Sequence, residues 1–267
     1  MKYKFGFIGC GNMGGALCKA VAKKEKDEKI CVCDGVKEKT DAMCSEFSNV
    51  AAVSLTEVIE ESEYIFLGVK PQSLSGLFSE IGDKLKKRRN VTIISMAAGK
   101  TLADIEALCG FVPAIIRIMP NTPVSVGKGV ILYDKNEKVG EKELFDFKKA
   151  LSDAGILCPL PESKIDAAGS VSGCGPAFVY MLIEALADGA VLCGIPRDDA
   201  ILYAAAMTEG AARLVIESGE HPEKLKDNVC SPGGTTIAGV KALEEAGFRA
   251  AAINAVEAAY KKTSALK

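Results

Sequence analysis

Near the start of this 267-residue chain, the run KFGFIGCGNMGGALCKAV leaves few folds open. Residues 4–9 form a short, mostly apolar run that stops at Gly9, after which Met13, Leu17, Ala20 and Val21 recur at helical spacing. Strand, glycine turn and helix follow one another in that order, and Gly9, Gly11 and Gly14 spell G-x-G-x-x-G across the turn. The first glycine permits the tight turn, the second lets a pyrophosphate approach the backbone, and the third lets the helix pack closely on the strand. A second strand, KICVCD, ends at Asp34, 20 residues after Gly14. An acidic group there accepts hydrogen bonds from a ribose 2′-hydroxyl and repels a 2′-phosphate. The expectation is an α/β dinucleotide-binding domain of the Rossmann type that takes NADPH or NADH. Asp34 favours NADH, and the nearby Lys37 and Lys39 work against that preference.

The alternation of element types continues, with a helix predicted near 37–47, a strand near 50–53, and a short helix opened by the capping box Ser54-x-x-Glu57. In EYIFLGVKPQ, residues 64–69 are continuously apolar, as a strand buried on both faces should be, and Lys70-Pro71 breaks it. The carboxyl edge of an open α/β sheet lines the ligand crevice, which places Val69, Lys70 and Pro71 there. VTIISMAAG ends in Ala97, Ala98 and Gly99, small enough for a nicotinamide to lie against the backbone. PAIIRIMPNTP, residues 113–123, runs a strand into a loop stiffened by Pro120 and Pro123, so that Asn121 is held in place, to touch ligand or only to make a turn. VILY and ILCPL flank a charged helix near 139–152 and complete a first domain over residues 1–162.

From residue 163 to 267 only helical periodicity remains. GPAFVYMLIEALADGAVL, residues 175–192, carries Glu184 and Asp188 as its only charges, and a helix so apolar must be buried nearly all round. The next helix, predicted over 198–216, is almost as apolar, and about a hundred residues cannot hide two such elements alone. A homodimer with interleaved helices is expected, the alternative being a compact monomeric bundle. Further on, Ser231, Pro232, Gly233 and Gly234 cannot comfortably be helix interior, whereas Ile237, Val240 and Leu243 recur at helical spacing. A turn that opens a helix presents unpaired N–H groups and partial positive charge, with glycines that let an anion come close. Such a loop is either a carboxylate or phosphate cradle, with the Thr235 and Thr236 hydroxyls beside it, or an ordinary glycine turn before a capped helix.

The 33 basic and 35 acidic side chains give a net charge of −2, which argues against a nucleic-acid partner and for small ligands. Ten cysteines without a CxxC pair or a preceding basic, apolar leader read as reduced thiols of a cytoplasmic protein. His221 is the single histidine, which leaves little for a zinc site, and no metal is expected. No apolar run is expected to reach the ~18 residues of a membrane span.

Taken in order, GFIGCGNMGGAL, VKPQ, RIMPNTP, SGCGPAF and DNVCSPGGTTIAGVKALEEAGFRAAAINAVEAA resemble the pyrroline-5-carboxylate reductases over nearly the whole chain. The resemblance implies reduction of a cyclic imine acid, 1-pyrroline-5-carboxylate, to L-proline by hydride from NAD(P)H, the last step of proline synthesis. It also implies a dimer formed through the helical domain, with assembly up to decamers. By motif match Gly9, Gly11, Asn12, Met13 and Gly14 surround the cofactor and Asn228 lies near its nicotinamide ribose. The same match puts Ser231 near the substrate and Asn121 beside the active site. The backbone N–H groups of Gly234, Thr235 and Thr236 would hold the substrate carboxylate, with Gly233 also lining the cradle, and the Thr236 hydroxyl would meet the imine nitrogen. Two positions depart from the family pattern: Asp34-Gly35 replaces an Asn-Arg pair found in many members, and Cys174 stands for a serine. A β-hydroxyacid dehydrogenase shares the two-domain layout but relies on a lysine of the first long helix, and no lysine lies between Lys164 and Lys224. A silent nucleotide-binding scaffold is the reading from another class.

Overall fold

A computed structural model of the protein describes residues 1–88 and 90–265. The apolar runs form β1 (Tyr3–Ile8), β2 (Ile30–Cys33), β3 (Val50–Ala52), β4 (Ser62–Leu67), β5 (Thr92–Ser95) and β6 (Ala114–Met119), followed by β7 (Gly129–Lys135) and β8 (Gly155–Pro159). All eight join one sheet in the order β3-β2-β1-β4-β5-β6-β7-β8. The first six are mutually parallel, β7 is antiparallel to β6, and β8 pairs parallel with β7. The order reverses direction between β1 and β4, which makes the carboxyl ends of these two strands the edge where an open α/β sheet receives ligand.

Covering both faces of the sheet requires helices on both, and the side chains divide by the period of two. Phe5, Phe7, Tyr64 and Phe66 enter one core with Leu17 and Val21 of α1 (Asn12–Lys24) and Phe147 of α6 (Glu141–Ala150). Ile8, Ile65, Leu67, Ile93 and Ile115 enter the other with α3 (Leu55–Glu61), α4 (Leu74–Lys86) and α5 (Leu102–Cys109). Helix α2 (Lys37–Glu46) places Met43 in the first core. The rings of Phe7 and Phe66 stack with centroids 4.3 Å apart across β1 and β4. Each such fully buried side chain is worth roughly 1.5–3 kcal/mol of transfer free energy.

Compactness divides the chain after Cys174: residues 1–174 form one unit with the segment from Ala259 onward, and Gly175–Ala258 form the other. The periodicity places the change of character at residue 163, but α7 (Glu162–Ser172) stays with the sheet unit. The reason is local, since buried Arg117 of β6 pairs with Glu162 and Asp166, and Met119 fits against Gly169.

The second unit contains α8 (Gly175–Leu192), α9 (Arg197–Ser218), α10 (Pro222–Asn228) and α11 (Thr235–Glu245), with most of α12 (Phe248–Ser264). Among the described residues of these five helices, Ala187, Ala200 and Ala204 alone are buried. Tyr180, Met181, Leu192, Leu202, Met207 and Ile216 are all more than half exposed in the single chain. The expectation that no segment is long and apolar enough to cross a membrane needs correction. The helical stretch Glu162–Leu192, which contains an 18-residue window of mean hydropathy 1.4, passes that test by length and composition. An average over 18 residues tolerates Glu184 and Asp188, whereas an uninterrupted apolar run does not.

Candidate active site

The sheet unit carries the glycine turn after β1 as its candidate site. Gly9 sits at φ 93°, a left-handed value that favours glycine, and a Cβ there would lie 2.7 Å from the Gly68 carbonyl carbon and oxygen. A Cβ on Gly14 would strike the Gly9 carbonyl oxygen, and one on Gly68, just past β4, would strike the same atom. These three glycines therefore let β1, α1 and the end of β4 approach backbone to backbone. Gly11 differs: nothing lies within 4 Å of where its Cβ would be. That open space at the uncapped start of α1 is where a pyrophosphate would approach. Asn12 is exposed and Met13 half-buried beside it. The motif predicted Gly9, Gly11 and Gly14, whereas Gly68 escaped the sequence reading although it stands next to Val69 and Lys70.

Asp34 follows β2 and faces this turn. Its Oδ2 accepts the Cys10 N–H at 2.6 Å and its Oδ1 the Val36 N–H at 2.8 Å, with Lys39 Nζ 3.6 Å from Oδ1. Burial opposes ionisation, but the hydrogen bonds from Val36 and Cys10, with Lys39, hold the carboxyl below its usual range. Asp34 is thus an anion that pins the glycine turn, and each carboxylate oxygen retains a further lone pair for a ribose hydroxyl. The Cys10 thiol is pushed up to about 12, first by its burial and then by Asp34. It is no nucleophile at neutral pH.

Along the same edge, β4 ends at Leu67, and exposed Lys70 precedes a 3-10 turn at Pro71–Ser73. After β5 the chain makes a turn in which Lys100 N–H donates to the Ala97 carbonyl at 3.3 Å, with Gly99 at φ 74°. Ala97 is buried and Ala98 exposed, so the methyl of Ala98 faces outward from the turn. After β6, Asn121 is buried and both ends of its amide are engaged within the chain. Its Nδ2 donates to the Ser172 carbonyl at 2.9 Å and its Oδ1 accepts the Val130 N–H at 2.8 Å. The stiff loop that the prolines predict is real, and the Asn121 side chain is its brace. A cavity of about 500 Å³ opens at the opposite edge, lined by Glu63, Thr92, Ala114 and Lys142, away from the glycine turn.

The helical unit carries its own candidate residues. Asn228 ends α10, and the following turn is closed by Cys230 N–H donating to the Asp227 carbonyl at 3.0 Å. Ser231 and Pro232 lead to Gly233 at φ 68°, another left-handed position, and then to Gly234, which precedes α11. No side chain caps α11, so its first N–H groups at Thr235 and Thr236 face outward. Gly234 N–H donates instead to the Ser231 carbonyl at 3.0 Å, so the donor expected at Gly234 is used within the loop. Gly234 contributes by its size, because a Cβ there would meet Ser231 Oγ. Arg249 of α12 pairs with Glu223 of α10 and with Glu244 of α11, each at 2.6 Å, and so ties together the two helices that flank the loop. His221 caps α10 by accepting the Glu223 N–H at Nδ1, 3.2 Å away, as its place in a turn suggests.

Comparison with known proteins covers both units. A family model described as pyrroline-5-carboxylate reductase dimerisation matches residues 162–266, and one described as NADP oxidoreductase coenzyme F420-dependent matches residues 4–99. The chain is 41% identical to a pyrroline-5-carboxylate reductase of Escherichia coli (strain K12) over 268 aligned positions, covering 100% of this chain and 99% of that one. Its fold matches the crystal structure of Plasmodium falciparum pyrroline carboxylate reductase with NADP bound at a TM-score of 0.86 and 31% identity, over 99% and 98% of the two chains. The Coxiella burnetii pyrroline-5-carboxylate reductase structure matches at a TM-score of 0.89 and 29% identity, over 100% and 99%.

Proposed function

The chain belongs to the pyrroline-5-carboxylate reductase family and reduces 1-pyrroline-5-carboxylate to L-proline; we propose the following division of labour among its residues. Two separate observations carry it, an open Gly11 at the head of α1 and an uncapped head of α11. One helix start suits a pyrophosphate and the other a small carboxylate.

When bound, the nicotinamide cofactor supplies the hydride. Gly9, Gly11 and Gly14 would hold its pyrophosphate with Asn12 and Met13 beside them, and Asp34 its adenosine ribose. Val69, Lys70, Pro71, Ala97 and Ala98 would flank the nicotinamide side of the crevice, with Asn228 at the nicotinamide ribose. Thr235 and Thr236 N–H groups would hold the substrate carboxylate, with Gly233 and Gly234 leaving it room and Ser231 beside the ring. The Thr236 hydroxyl would accept or donate a hydrogen bond at the imine nitrogen. A protonated imine already carries positive charge on its C=N bond, so it needs one hydride at carbon and good orientation more than a strong acid. A threonine hydroxyl is too weak a base to move protons itself, and any relay would run through water. Asn121 serves by holding the loop after β6.

On cofactor choice we read Asp34 as favouring NADH. Its anchored negative charge would repel a 2′-phosphate while still accepting a ribose hydroxyl, and Lys39 offsets part of that charge. The dimerisation segment makes the protein a homo-oligomer, at least a dimer in our reading and on family grounds up to a decamer. All ten cysteines are free, which supports a reducing, cytoplasmic setting.

The test is the loss of NADH and of NADPH absorbance with pyrroline-5-carboxylate, beside a hydroxyacid control run in reverse with NAD and NADP. Imine-dependent oxidation with a higher kcat/KM for NADH is expected. A clear preference for NADPH would overturn the reading of Asp34, and turnover of the hydroxyacid alone would overturn the choice of substrate.

A further inference from the structure

The strand AIIRIM is buried on both faces, and an arginine at its centre interrupts an otherwise apolar run. Arg117 is 3% exposed, with Nη2 2.6 Å from Asp166 Oδ1 and Nη1 3.2 Å from Glu162 Oε1, both on α7. Burying such a group carries a large desolvation cost, and an apolar side chain of similar size would often serve stability as well or better. The cluster therefore calls for a role beyond holding α7 down.

Its contacts suggest one. Glu162 Oε1, the atom that faces Arg117, also accepts the Leu102 N–H at 2.7 Å. Leu102 is the first residue of α5, and its N–H is one of the donors that a helix start leaves without an internal partner. It closes the loop 96–101, which begins directly after Ser95 of β5. Ser95 is paired in register with Arg117 of β6. One residue of β6 thus secures both ends of this loop, the start through strand pairing and the finish through the carboxylate that its guanidinium holds. Glu162 is itself fixed from a third side, because its N–H donates to Asp134 Oδ2 of β7 at 2.6 Å. Thr101 and Asp104 add a full capping box at the same helix start, while the turn before it is held only locally, by Lys100 N–H donating to the Ala97 carbonyl at 3.3 Å and Ala97 N–H donating to Ser95 Oγ at 3.5 Å.

We propose that Glu162 is a positioning residue for hydride transfer, which holds the turn at Ala97 and Ala98 against the nicotinamide through its bond to Leu102 N–H, with Arg117 as the group that aims its carboxylate. The proposal rests on the reading that this turn flanks the nicotinamide. Glu162 touches neither cofactor nor substrate in this account, and it acts on the reaction through the loop.

Glu162→Ala removes the acceptor while leaving Arg117 its Asp166 partner. Glu162→Gln keeps an amide oxygen for Leu102 N–H, and Glu162→Asp keeps the charge but falls short by one methylene. Kinetics are measured with cofactor carrying deuterium at the transferred position of the nicotinamide ring, together with amide hydrogen exchange of residues 96–102 in the cofactor-free protein. The expected result for Glu162→Ala and Glu162→Asp is a kcat about tenfold lower, within the range that small misplacements of reacting groups produce. Their isotope effect should be larger, their KM for the imine little changed, and exchange at 97–102 faster. Glu162→Gln should stay near wild type in all four. Unchanged kcat, isotope effect and exchange in Glu162→Ala, whatever its melting temperature, would overturn the proposal; if that variant does not fold, the same result in Glu162→Asp would do so. Wild-type protein without imine-dependent oxidation would instead sink the functional reading, and the exchange data would still decide whether Glu162 holds the loop.

Discussion

The sheet unit and the helical unit of this protein satisfy their apolar residues on different terms. In the first, two continuous cores lie on the two faces of one sheet, and its largest apolar side chains are closed off by helices of the same chain. In the second, three alanines are buried while Met181, Leu192 and Ile216 stand 69%, 90% and 75% exposed. The helical unit is no poorer in apolar residues, so the difference lies in who covers the surface. The first unit closes its cores within one chain, and the second leaves its apolar faces to the other copies of the homo-oligomer that its dimerisation segment implies. On the proposed division of labour, the cofactor residues fall in the unit that one chain closes and the substrate residues in the unit that leaves apolar faces open.

The strongest way to break this contrast is to place charge where the second copy should sit. Met181→Glu combined with Leu202→Glu should abolish the oligomer and essentially all activity, read by light scattering and imine-dependent oxidation. An active, oligomeric double variant would show that these faces are not what a partner covers. Next in size is Gly14→Ala, whose Cβ meets the Gly9 carbonyl oxygen. Cofactor affinity should fall about 100-fold, or ~2.7 kcal/mol, in a fluorescence titration while the oligomer persists. Thr236→Ala should lower kcat about 10- to 100-fold with cofactor affinity unchanged. Loss of cofactor binding in that variant would merge the two roles that the units are said to divide.

Asp34→Asn is the subtlest probe. The ratio of kcat/KM values should move about tenfold toward NADPH, because the repelling charge is gone. Stability should respond to pH in a definite sense. The folded-state pKa of Asp34 is depressed, so its contribution is fully present above the ordinary carboxylate value of about 4 and is lost as pH falls through the lower folded value. The difference in Tm between wild type and Asp34→Asn should therefore be constant at neutral pH and shrink in acid. A difference that grows on acidification would contradict the hydrogen bonds drawn to Cys10 and Val36.

Much of this was legible in the residues themselves. Periodicity and glycine placement predict β1, α1 and the head of α11, because each depends on neighbours a few positions away. The apolar run at 175–192 likewise predicts α8. What stayed hidden depends on residues far apart in the chain. Gly68 reads as one more residue of an apolar strand until β4 lies beside β1 and its backbone meets Gly9. Arg117 is only one residue of a strand run until α7 brings Glu162 and Asp166 to it, from 45 and 49 positions away. The boundary at 163 marks where strand character stops, whereas α7 takes its place from that ion cluster and from Asn121. Asn121 was visible as a rigid residue, but its partners at Ser172 and Val130 were not.

Sedimentation equilibrium of the full chain at micromolar concentration and below, with activity measured on the same samples, tests the contrast between the units most directly. A dimer or a multiple of dimers that loses activity as it dissociates is the predicted result. A monomer that stays folded and reduces the imine at full rate would contradict it, since the helical unit would then need no second copy to complete its core.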